Sequence, residues 1–137
     1  MSEKQYVVFR MGQEEYGIDI MSVQEIIVPT PVTKIPNTPP YFLGVFNLRG
    51  SIIPLIDLRK RFFLEPSENE AETRIVVVAL EKPVGILVDS IREVLLIDDK
   101  EIESSQDISA GISQEFITGI AKKDGRLIIL LNLAGAF

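Results

Sequence analysis

Apolar residues along this chain fall in short runs set apart by glycine, proline and acidic turns, the pattern of strands rather than of long helices. The clearest stretch is Gly44–Leu58, GVFNLRGSIIPLIDL. Its second half carries Ile52, Ile53, Leu55, Ile56 and Leu58, interrupted only by Pro54 and Asp57. Between the halves stands Arg49-Gly50, where glycine takes positive φ without steric cost, so the stretch predicts a β-hairpin. Pro54 has no N–H for a ladder and predicts an edge strand or a bulge. Upstream, Gln5–Phe9 and Tyr16–Ile20 read as paired strands around a turn at Met11–Glu15. Val23–Val28 fits both a strand and a helical period of 3.6, and Pro29 and Pro31 end it either way. Ile35–Pro40 is loop, with a helical turn predicted at Tyr41–Leu43 behind Pro39-Pro40. Asp57–Phe63 predicts a short helix capped by Asp57. Strands at Arg74–Leu80, Val84–Val88 and Ile91–Ile97 then precede an acidic stretch, Asp98–Glu103, and a polar loop, Ser104–Gln114. A last hairpin follows around Asp124-Gly125, with strands near Phe116–Ala121 and Arg126–Leu133.

That last hairpin repeats the first. Shifted by 75 positions, Gly44–Leu58 falls without gaps on Gly119–Leu133, with Gly44 on Gly119, Gly50 on Gly125 and Ile53 on Ile128. Five identities in fifteen exceed the roughly one expected from average composition. Val7–Ile27 falls on Ile75–Leu95 at a shift of 68, placing Val8 on Val76, Gly17 on Gly85, Val23 on Ile91 and Glu25 on Glu93. Two copies of one substructure follow, over about 5–64 and about 73–134, joined by an acidic linker, Glu65–Glu72. Each copy alone is short for a stable core, so all 137 residues are expected to fold as a single domain. The expected fold is mostly β, two small barrels sharing a core, because closure removes exposed edges.

Composition narrows the function. Twenty acids against fourteen bases give a net charge of −6, and no basic run is long enough to track a phosphate backbone, which excludes nucleic acid as a partner. No apolar run is long enough to span a bilayer, and MSEKQYVVF lacks the core of a secretory signal, so a cytoplasmic protein is expected. The chain holds neither cysteine nor histidine, which removes thiol chemistry, the commonest general base and the commonest metal ligands. With no phosphate-binding glycine loop or nucleophile motif either, no enzyme, cofactor or metal is expected. Glu25 and Glu93, related by the repeat, are the one candidate acid pair. Outside the loops that aspartic dyads use, they read as solvent-facing residues of edge strands. Between Lys34 and Arg61, five bases (Lys34, Arg49, Arg59, Lys60 and Arg61) face one acid, Asp57. In an acidic protein this segregation suits a partner with a complementary patch. Arg49, at the hairpin tip, reads equally as a partner contact and as a solvated turn residue. The aliphatics Val7, Ile20, Val23 and Ile91 read as core or as the apolar docking surface of an adaptor.

The segments YGIDIMSVQEII, IPNTPPYFLGVFNLRGSIIPLIDLR, VGILVDSIREVL and GIAKKDGRLIILLNL, in this order, resemble the CheW family of chemotaxis coupling proteins over Gln5–Leu133. The resemblance implies two five-stranded SH3-like β-barrels packed together with short helical turns. It implies a non-catalytic adaptor between the regulatory domain of the histidine kinase CheA and the cytoplasmic tip of methyl-accepting chemotaxis receptors. Such an adaptor is recruited to membrane receptor arrays through its partners and does not insert into the bilayer. A receptor-binding groove between the barrels would be lined by Val7, Ile20, Val23 and Ile91. Glu25 and Arg49 match coupling positions and would pair across neighbouring strands, while Gly44 and Gly50 serve the hairpin backbone. The kinase-facing surface would lie at the ends of both barrels. The alternatives are a ligand-binding or enzymatic double barrel using the cleft between the barrels, or a CheW-like part of a larger CheA or CheV protein. For CheV, 137 residues leave no room for a receiver domain.

Overall fold

The computed structural model describes residues 3–62, 64–65, 70–103 and 116–134, and the loop expected at Ser104–Gln114 lies outside them. Two strands, β1 (Glu3–Met11) and β2 (Glu14–Asp19), form the first hairpin. A 3₁₀ turn over Ile20–Ser22, capped by the Asp19 carboxylate accepting from the Met21 N–H at 2.9 Å, leads into β3 (Val23–Ile27). Exposure along β3 alternates with period two, which resolves the strand-or-helix ambiguity in favour of the strand. Then follow β4 (Phe42–Leu48), β5 (Ser51–Asp57) and the one-turn helix α1 (Leu58–Arg61). No helix forms at Tyr41–Leu43. The Phe42 N–H closes one turn on the Pro39 carbonyl at 3.0 Å and the chain enters β4 directly, where the ladder to β5 satisfies its backbone. Asp57 caps α1, its carboxylate accepting from the N–H groups of Arg59 and Lys60. The second half supplies β6 (Arg74–Ala79), β7 (Pro83–Val88), β8 (Ser90–Asp98), the two-residue β9 (Ile102–Glu103), β10 (Ile117–Lys123) and β11 (Arg126–Leu131). No described helix is long and apolar enough to cross a membrane.

The strands make two sheets with the same plan. One runs β8-β1-β2-β11-β10-β9 and the other β3-β6-β7-β5-β4, the latter extended by a bridge from Thr33 to Val45. The repeat maps each order onto the other, down to the register. Leu55 lies beside Gly85 in the parallel pair β5/β7, as Leu130 lies beside Gly17 in β11/β2. Gln24 and Arg92 are the bulged residues of β3 and β8, and Leu43 and Thr118 those of β4 and β10. Each sheet nevertheless draws on both halves of the chain, because the hairpins β1–β2 and β6–β7 are exchanged between the copies. In the first strand the sequence alignment is off by one: Val8 pairs with Gly17 as Val77, not Val76, pairs with Gly85. The shift there is 69, with a turn one residue shorter in the second copy. Pro54 is not on an edge strand, since β5 sits between β7 and β4. Its pairing with β7 begins only at Leu55, so the missing N–H falls where β5 has one partner.

Alternation along each strand builds three cores. Val8, Ile97, Ala121, Ile128 and Leu130 fill one barrel, and Phe46, Ile53, Leu55, Ile75 and Val77 fill the other. A larger cluster, including Phe9, Tyr16, Ile86, Val88 and Phe116, is shared between them. Gly50 and Gly125 turn the equivalent hairpins with φ of +88° and +77°, each after a residue also at positive φ, Arg49 and Asp124. Gly44 serves a different need from the hairpin turn. A Cβ there would stand 2.3 Å from the Thr33 carbonyl oxygen, so glycine lets the crossing strand approach.

Candidate functional site

Where β8 and β3 leave their sheets' edges beside the shared core, aliphatic side chains reach solvent. Val7 faces Val94 across the β1/β8 ladder, and Phe9 faces Ile91, so all four share the face turned toward the other barrel. On the second sheet Val23 and Ile26 pair with Val78 and Val76, whose side chains belong to the shared cluster. Ile20, Val23 and Ile91 are half-buried, and Val23 and Ile91 pack on that cluster. Val7 is only 2% exposed and contributes floor rather than open surface. A hollow of about 210 Å³ between the barrels is lined by Ile26, Glu72, Arg74, Ser90 and Ile91. Sequence reading missed Ile26, Val94 (46% exposed) and Leu96 (48% exposed) on this row. The signal was there in Val94–Ile97, four consecutive apolar residues on a strand whose sides alternate, so that half of them had to face outward.

The two carboxylates related by the repeat do not form a dyad. Arg49, at the β4–β5 turn, donates to both oxygens of Glu25 at 2.6 and 2.9 Å. Arg126, just past the β10–β11 turn, donates to Glu93 at 2.9 Å and grips Glu15 with two bonds of 2.9 and 2.7 Å. Each barrel thus ties its bulged edge strand to its own hairpin by an arginine–glutamate pair. The Arg49 side chain is 76% exposed, so its pair contributes well under about 1 kcal/mol to stability and remains available to a partner. The pair borders a hollow of about 550 Å³ with Gln24, Leu48, Ser51, Ile53 and Pro83. In the other barrel, the hydrogen bonds from Arg126 hold the Glu15 carboxyl below its ordinary pKa, with the nearby guanidinium charges of Arg126, Arg92 and Arg10 adding to it. A depressed pKa stabilises the fold above the ordinary carboxylate range and ceases to do so as pH falls through it. Glu15→Gln is therefore expected to flatten the loss of stability between about pH 5 and pH 3, read from urea midpoints at each pH.

The positive segment expected from Lys34 to Arg61 contracts on folding. Arg59, 8% exposed, is locked between Asp57 and Asp89: Nε and one terminal nitrogen reach Asp57 at 3.0 and 3.1 Å, and the other reaches Asp89 at 3.1 Å. Asp89 also accepts from the Gly12 N–H at 2.8 Å, so the network spans β5, the β7–β8 junction and the first hairpin turn. Arg61 lies 5.2 to 5.9 Å from the rings of Tyr41, Phe62 and Phe116, and Arg49 holds Glu25. Lys34 and Lys60 remain exposed beside a small hollow with Ile35 and Phe42. Spacing along the chain cannot distinguish an arginine that turns inward from one that stays in water.

Comparison with known proteins agrees with this architecture. The chain is 38% identical over 136 residues to the probable chemotaxis protein CheW of Rhizobium etli, covering 98% of this chain and 88% of that one. It is 37% identical over 131 residues to the chemotaxis protein CheW of Klebsiella aerogenes, covering 95% and 79%. Among solved structures, the scaffolding protein TtCheW of Thermoanaerobacter tengcongensis superposes with a TM-score of 0.93 at 39% identity, covering 99% of this chain and 93% of that one. The two five- and six-stranded sheets are the two SH3-like barrels that the resemblance implied. The CheW-like domain matches residues 5–137, and the chain belongs to that family.

Proposed function

We propose that this protein is a non-catalytic scaffold of chemotaxis signalling that couples transmembrane chemoreceptors to the histidine kinase CheA in the cytoplasm. The observation that carries the reading is the row of half-exposed aliphatics between the barrels, in a chain of this family. Val23, Ile26, Ile91, Val94 and Leu96 on that row, with half-buried Ile20 in the adjoining 3₁₀ turn, suit the apolar face of a receptor helix, which buries i, i+3 and i+4 side chains in such a groove. Glu25 and Arg49 form an exposed charge pair beside a separate hollow, on the other face of β3 from Val23 and Ile26, and such a pair selects orientation more than it adds affinity. The kinase regulatory domain takes the barrel ends. Coupling then requires that receptor states bind the scaffold–kinase unit with different free energies, since equal affinity transmits nothing.

Val23→Asp places a carboxylate in the groove, and Val94→Asp does so at a site open enough to leave the fold intact. Each is expected to weaken binding of a receptor signalling-tip fragment about 100-fold, the equivalent of ~3 kcal/mol for an apolar contact turned into a buried charge. Binding of the CheA regulatory domain should be unchanged, with both affinities measured by calorimetry. Equal loss of both partners would reassign the groove, and retention of receptor binding by Val94→Asp would remove it from the interface.

A further inference from the structure

The chain passes between the two sheets at the starts of β3 and β8, the strands that wall the groove. From β2 to β3 it takes a three-residue turn, Ile20–Ser22. From β7 to β8 it takes one residue, Asp89. Val88 still pairs with Arg74 in the five-stranded sheet, and Ser90 already pairs with Arg10 in the six-stranded one. The backbone angles of that single residue set the direction in which β8 leaves, with Ile91, Val94 and Leu96 on it.

Asp89 is buried and tied to both sheets. Its N–H donates to the Arg10 carbonyl at 3.0 Å, and its carboxylate accepts from the Gly12 N–H at 2.8 Å. Both bonds go to the β1–β2 hairpin of the six-stranded sheet. Its other carboxylate oxygen accepts from Arg59 at 3.1 Å, and that guanidinium also holds Asp57, the last residue of β5, at 3.0 and 3.1 Å. The bridge Asp57–Arg59–Asp89 therefore runs from the five-stranded sheet to the foot of β8. A buried ion network contributes little net stability, since desolvation offsets much of the attraction. What a planar guanidinium forked between two carboxylates does supply is a fixed geometry. The repeat places Met21 where Asp89 stands, so the β2–β3 crossing has no carboxylate at that position.

We propose that Arg59 is a positioning residue of the groove: it fixes the β8 wall at one angle to the β3 wall and, given the receptor reading above, keeps Ile26 and Ile91 spaced across the hollow between the barrels for a receptor helix. The variant that tests this is Arg59→Met with Asp89→Asn, which removes the bridge without leaving Asp89 charged and alone. Asp57 keeps the two α1 N–H groups that it caps. In the isotope-labelled full chain, residual dipolar couplings are expected to keep their wild-type pattern within each sheet while the angle between the sheets changes. A receptor signalling-tip fragment should bind about tenfold more weakly, as when about a tenth of the molecules hold the competent spacing. Ile53→Val, a core change in one barrel that leaves the bridge intact, should bind the fragment as the wild type does. A wild-type angle between the sheets in the double variant would overturn the proposal. A changed angle with undiminished affinity would remove Arg59 from receptor binding. Failure of the wild type itself to bind the fragment would overturn the receptor reading and not the bridge, which the couplings test without a partner.

Discussion

Arg59→Ala is expected to lower unfolding free energy by about 3–5 kcal/mol, the cost of leaving buried carboxylates without their counter-charge. Arg59 is the shared partner of Asp57 and Asp89, and all three are nearly inaccessible to water. Without the guanidinium, Asp57 keeps only the N–H groups of α1 and Asp89 keeps the Gly12 N–H, which do not neutralise two charges. The triad is not thereby a large net source of stability, since desolvating three charges offsets much of their attraction. Its breakage is what costs. The double variant Asp89→Asn with Arg59→Met should accordingly lose less than the sum of the two single changes, because residues in one network are not additive. Urea midpoints at constant m-value measure all three. A loss below about 1 kcal/mol for Arg59→Ala would mean that water reaches the site.

Gly44→Val should cost about 4 kcal/mol or prevent folding, whereas Gly12→Ala should cost about 1 kcal/mol. Both glycines have positive φ, +142° and +65°. The difference is what surrounds them. A Cβ at Gly12 meets nothing within 4 Å, so only backbone strain is added. At Gly44 it meets the Thr33 carbonyl oxygen at 2.3 Å, backbone that cannot swing aside like a side-chain tip. Relieving the clash means breaking the paired bonds Thr33 N–H to Val45 carbonyl, 2.8 Å, and Val45 N–H to Thr33 carbonyl, 2.9 Å. A Gly44→Val protein with an unchanged thermal midpoint would show that the Thr33 strand is not held there.

Much of this was legible in the chain. Gly44 and Gly119 align because each admits a crossing strand, and the hairpin glycines align because each turn needs positive φ; backbone demands of this kind write themselves as residue identities. Family motifs placed Glu25 beside Arg49, and the two do bond, though from β3 and the β4–β5 turn, which are not neighbours in the sheet, rather than across neighbouring strands. What did not show was partnership over long separations. The exchange of hairpins leaves the same strand sequences in either arrangement, so periodicity is silent on it. The off-by-one alignment of Val8 survived because Val76, Val77 and Val78 are all valine, and identity cannot mark which one faces which core. Arg59 looked like surface because its acidic partner Asp89 is thirty residues away.

The exchange has a bearing on how the chain comes together. All five strands of the sheet built on β3 to β7 lie between Val23 and Val88, a contiguous stretch. The other sheet needs both ends, and its β2 must find β11 across 111 residues, the separation of Glu15 from Arg126. During synthesis the inner barrel is complete once Val88 has emerged, while the β1–β2 hairpin waits for β8 on the β1 side and for β11, the last strand, on the β2 side. Long-range closure of this kind is slow, and the waiting hairpin is the segment that a ribosome-bound chaperone would find exposed.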